Sequence, residues 1–65
     1  MNKEEFLNLV YNAYNSAIKL SEDSKKKISY FSEISNEDEV KKAESNLKFA
    51  NYNVEKLKSL LLFVS

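Results

Sequence analysis

Two stretches of this chain carry the same alternating spacing, and the second mirrors the first. Leu7, Val10, Tyr14, Ala17, Ser21, Ser24, Ile28 and Phe31 are separated alternately by three and four positions, and so are Val40, Ala43, Leu47, Ala50, Val54, Leu57, Leu61 and Val64. That alternation keeps one stripe of a helix turned toward a second helix along its length. Folding the chain back near residues 35 and 36 sets Leu7 opposite Val64, Ala17 opposite Val54 and Phe31 opposite Val40, so that every seam residue finds a partner at its own level. Large residues then face small ones, Ile28 against Ala43 and Leu47 against Ser24, which lets the layers interdigitate. The expected fold is all-α, an antiparallel helical hairpin.

The ends of the helices can be read from local chemistry. Asn2 is placed to cap the first helix, with Glu5 three residues later completing a capping-box-like pair. That helix is expected from about Lys3 to about Ser32. Ser21-Glu22-Asp23-Ser24 could restart a helix, but the seam crosses it in register and no Gly or Pro interrupts it, so one continuous helix is the expectation. A turn at about 33–36 follows. Asn is the non-Gly residue most tolerant of a left-handed backbone, and Ser35 or Asn36 can cap the second helix. Glu37, Asp38 and Glu39 suit the positive end of that helix, which is expected to run from about Glu37 to about Phe63. Each arm would be about 40 Å long at 1.5 Å per residue. No linker divides the chain, so residues 1–65 form one domain. In length and pattern, though in no binding motif, it resembles plasmid copy-number regulators of the Rop type, and the resemblance implies a dimer of hairpins.

Sixty-five residues lie near the lower limit for a self-sufficient core, and the usual supports are missing. There is no Cys for a disulfide and no His or Cys to hold zinc, so neither metal nor cofactor is expected. The middle of the seam is thin, since Ala17, Ser21, Ser24, Ala43 and Ala50 bury little area. Something further should cover the hairpin, and a homodimeric four-helix bundle is the simplest completion.

The apolar residues left over show where. Phe6, Leu9, Ala13 and Leu20 flank the first seam on one side, and Tyr11 and Ile18 on the other; together they span about half the helix circumference, against roughly a third for a simple core-facing stripe. The second helix carries another stripe, Phe49, Tyr52, Leu60 and Phe63, nearly opposite its seam. A hairpin cannot bury both sides of one arm. Two copies can associate, the aromatic stripe can bind a different protein, or both can hold with one surface for each task, aromatics being the commonest interface anchors. The leading expectation is a small non-enzymatic regulator or adaptor whose Phe49, Tyr52, Leu60 and Phe63, helped by Tyr11 and Leu9, dock on a larger protein.

Charge argues against most other classes. Ten basic residues balance ten acidic ones, and all ten are Lys. A neutral chain without Arg has no overall pull toward nucleic acid and lacks the best phosphate fork. Lys25, Lys26, Lys27, Lys41 and Lys42 cluster near the turn and define an alternative, an RNA-binding hairpin dimer. Most of these lysines follow an acid four residues earlier, as in Glu22–Lys26, Asp23–Lys27, Glu37–Lys41 and Asp38–Lys42, the pattern of a solvated helix face. A third reading is a structural subunit of a larger assembly. Catalysis finds no nucleophile–base pair, no phosphate-cradling Gly loop and no pocket-forming length, so no catalytic residue is expected. The opening Met-Asn-Lys-Glu-Glu leads into no secretory-type apolar core and the longest apolar run, Leu60 to Val64, is far short of a membrane span, so a cytoplasmic location is the expectation. The excess of Lys, Asn, Ser, Tyr, Phe and Ile points to an AT-rich coding sequence, of the kind found in low-GC bacteria and their phages and plasmids.

Overall fold

In a computed structural model, which describes residues 2–64, the chain is two helices, α1 (Lys3–Glu33) and α2 (Glu37–Val64), packed against each other as an antiparallel hairpin. The rod measures 48 × 14 × 14 Å. All sixteen seam residues are buried or partly buried, and apart from Ile18, Glu39, Asn53 and Leu60 every other described residue is exposed. The mirrored spacing is therefore the contact surface. Each helix runs one residue further than the sequence implies.

The helix ends are closed by a few side chains. Asn2 Oδ1 accepts from the Glu5 amide at 2.8 Å, capping α1 as its position requires. At the other end the Asn36 amide donates to the Phe31 carbonyl at 2.9 Å and the Ser35 amide to the Ser32 carbonyl at 3.2 Å. This pair of hydrogen bonds is the Schellman closure, which needs a left-handed residue just past the helix. Ser35 supplies it, with φ of 59°. The tolerance of Asn for that conformation pointed to residue 36 instead. Asn36 is needed elsewhere: its Oδ1 accepts from the Glu39 amide at 3.3 Å and its carbonyl from Val40 at 3.1 Å, so it caps α2. One residue thus closes one helix and opens the next.

No break occurs at Ser21–Ser24, and α1 is continuous through it. Both serines are buried in the seam, and the Ser21 hydroxyl donates across to Asn51 Oδ1 at 3.0 Å. A capping residue would have spent that hydroxyl on its own backbone; here it joins the helices.

The interior is made of small side chains. Ala50 is fully covered, with Ala43, Ala17, Ser24 and Ser21 nearly so, and Val10 at 7 % exposure is the largest buried residue. Leu7, Tyr14, Ile28, Phe31, Leu47, Leu57 and Leu61 line the same seam but are only partly covered. Small residues at the centre let the helices approach closely, and the larger ones then straddle the contact with their outer edges in water.

Candidate functional site

Helical phase distributes the remaining apolar residues over two sides of the rod. A shallow groove on one side is lined by Ala13, Ala17 and Leu20 of α1 and by Tyr52, Lys56 and Leu57 of α2. Leu9 lies four residues before Ala13 and Phe6 seven before it, so both continue this side of α1. On α2, Phe49 stands seven positions before Lys56, Leu60 four after it and Phe63 seven after it, and they continue the same side. Five of the six expected anchors therefore share one face: Leu9, Phe49, Tyr52, Leu60 and Phe63.

Tyr11 does not join them. It lines a second groove on the opposite side, with Leu7, Tyr14, Lys58, Leu61 and Leu62. A single flat partner cannot reach Tyr11 and Tyr52 together.

Within the first face the anchors differ in exposure. Phe63 is 88 % exposed, Phe49 62 % and Tyr52 61 %, and these three form the outer edge of α2. Leu60 is only partly exposed. A straight helix drifts about 20° per heptad against a seven-residue repeat. By the last turns of α2 the seam has rotated toward Leu60, which flanks the contact instead of standing opposite it. Phe6 at 37 % and Leu20 at 39 % sit at the matching flank of α1.

Tyr52 is held by its neighbour. The Lys56 ammonium lies 5.4 Å from the Tyr52 ring centroid, one helical turn further on. An exposed contact of this kind contributes about 0.5–1 kcal/mol and fixes the ring across the groove edge.

The turn-proximal lysines point in several directions, though Lys27 and Lys42 share a side. Lys25, Lys26 and Lys27 are consecutive on α1, so they point in three directions about 100° apart, and Lys41 and Lys42 diverge in the same way. Lys42 Nζ pairs with Glu39 Oε1 at 3.3 Å, the only ion pair among the described residues. The partner implied by four-residue spacing was Asp38; Glu39, three residues back, leans along the seam edge and is nearer. Lys41 lines a groove near the turn alongside Glu37 and Glu44. Each of these two lysines has acidic company, which lowers the local potential that a phosphate backbone would need.

Two exposed apolar residues escaped the sequence reading of the surface, Ile34 at the end of α1 and Leu62 on the Tyr11 side. Leu62 is embedded in the run Leu60 to Val64, where seam and surface residues are both apolar and periodicity loses contrast. Among the described residues no group of three or more acidic side chains is gathered as a metal site would be, and no helix is long and apolar enough to cross a membrane. The chain matches no protein-family model, and comparison with curated proteins and with solved structures likewise finds no match.

Proposed function

We propose that this chain is a small non-enzymatic regulator or adaptor that lays a helix face on a larger protein, masking a site there or holding one conformation of it, and that it works as a homodimeric four-helix bundle. The observation that carries this reading is an inversion of side-chain size: the interior is Ala, Ser and one Val, while Phe6, Leu9, Leu20, Phe49, Tyr52 and Phe63 lie on one outer face. Ordering a chain costs about 1.5 kcal/mol per residue, and a core of small side chains returns too little of it to explain leaving so much aromatic surface unused. Isolated exposed apolar residues need no explanation, but a contiguous stripe of them marks an interaction surface.

The outer edge of α2 supplies the anchors for the larger partner. Phe49, Tyr52 and Phe63 present rings at helical spacing, the helix-in-groove mode of recognition. Leu9 on α1 and Leu60 on α2 share that face, on ground that a second copy of the chain and the larger partner would both use. Tyr11 belongs to a separate, smaller surface.

The test uses the full chain as bait in the source cell, compared with Phe49→Ala and Tyr52→Ala. Either change should weaken capture of the partner at least tenfold while circular dichroism and sedimentation stay as in the parent. Loss of self-association instead would make the stripe an assembly contact. Capture of nucleic acid that falls steeply with salt, and is abolished by Lys26→Glu with Lys42→Glu, would favour the RNA-binding alternative.

A further inference from the structure

We propose that the second copy of this chain covers the face built by Phe6, Ala13, Leu20 and Leu60, in an antiparallel, staggered arrangement that overlaps only the open-end halves of the two hairpins. This deepens the dimeric bundle proposed above and rests on it, adding the face, the orientation and the extent of contact.

The area fits. The chain presents 5152 Å² to solvent. A compact monomer of 7.6 kDa presents about 4,300 Å². The surplus, about 850 Å² spread over the whole rod, is of the order of the ~800 Å² per partner that a standard stable interface covers.

Charge along the face sets the orientation. From the open end to the level of Leu20, this side of α1 carries Phe6, Leu9, Ala13 and Ser16, and the facing side of α2 carries Asn53, Lys56 and Leu60. The one charge in that half is Lys56, which lines the groove with its ammonium 5.4 Å from the Tyr52 ring centroid. Toward the turn the same side carries Asp23 and Lys27 on α1, three and seven residues beyond Leu20, and Lys42 on α2, seven before Phe49, with its partner Glu39. A parallel pairing would cover those four charges and set Lys27 against its own copy, at a desolvation cost. A staggered antiparallel pairing leaves them in water and joins only the apolar halves.

Side-chain size places the axis. Ala13 lies midway between Phe6 and Leu20, seven residues from each. A two-fold axis beside Ala13 lets the two α1 helices come close at their smallest point, and Phe6 of one copy falls beside Leu20 of the other. The turns then project at opposite poles, and the particle is about 65 Å long at 1.5 Å per residue. The rings of Phe49 and Tyr52, nearer the outer edge of α2, remain at the border of the contact.

The chain has no cysteine, so single-cysteine variants report without background. Sedimentation equilibrium on the full chain alone, from low micromolar to millimolar, is combined with oxidative cross-linking of Ala13→Cys and of Lys27→Cys. In the staggered dimer the two residues 13 meet at the axis, whereas the two residues 27 stand about 40 Å apart. The expected result is a dimer in which Ala13→Cys cross-links nearly completely and Lys27→Cys below a tenth. A monomer at all concentrations would overturn the proposal. So would efficient cross-linking of Lys27→Cys, which requires the parallel form, or a dimer that leaves Ala13→Cys reduced, which places the contact on another face. None of these measurements involves another protein, so their failure leaves the reading of the outer stripe standing. A Tyr52→Ala variant that stays dimeric and captures the larger partner unchanged would remove that reading alone.

Discussion

Asn36 and Ser35 show how much of this fold depends on two adjacent residues. Asn36 donates its amide to close α1 and lends its side chain and carbonyl to open α2. Replacing it by Ala keeps the backbone bonds and removes the cap, so Asn36→Ala should cost about 1 kcal/mol in urea unfolding. Ser35 has the opposite problem, being held at φ of 59° where a Cβ crowds the following carbonyl. Ser35→Gly relieves that contact at some cost in unfolded-chain entropy, and a net gain of about 0.5–1 kcal/mol is expected, seen as a higher urea midpoint with unchanged slope. A fall in midpoint would mean that the hydroxyl contributes more than the backbone relief. Both changes lie far from the apolar faces and should leave self-association as it is.

At the level of the elements, the two helices depend on close approach through Ala17, Ala43 and Ala50 with Ser21 and Ser24. Ala50 has no exposed surface, so a larger side chain there must push the helices apart. Ala50→Leu is expected to destabilise by about 1–3 kcal/mol despite its added apolar area, measurable by thermal unfolding. The helices and their pairing were legible in the sequence because the seam repeats without interruption across both arms, Ser21 and Ser24 included. Three details were not. Which of Ser35 and Asn36 turns left-handed depends on a competition for Asn36 that single-residue preference does not contain. The separation of Tyr11 from Tyr52 depends on how two helices face each other, and a wheel drawn for each helix alone does not show it. Leu60 was misplaced because a seven-residue repeat drifts around a straight helix, and the error grows toward the end of α2.

The whole molecule is a rod with a radius of gyration of 14.8 Å, against about 11 Å for a compact domain of this length. A rod of this width has almost no interior, and its stability should be shared with whatever lies along it. If that is a second copy, the thermal midpoint rises with protein concentration, by several degrees over a hundredfold range, because the dimer alone holds the folded state at the high end. A midpoint independent of concentration would assign the stability to the hairpin itself. The mirrored seam has one more consequence, which concerns how such a chain can change length. A three-residue turn fixes the level of every pair, so an insertion in one arm displaces everything beyond it relative to the other. Removing residues 17–23 together with 48–54 takes out one heptad at matching levels and brings Tyr14 to Ser24 and Leu47 to Leu57 at the original spacing. Removing either block alone leaves two turns of the opposite arm overhanging without cover. The hairpin can therefore grow or shrink only by paired events on both sides of its turn, like a zipper whose teeth must be added to both tapes.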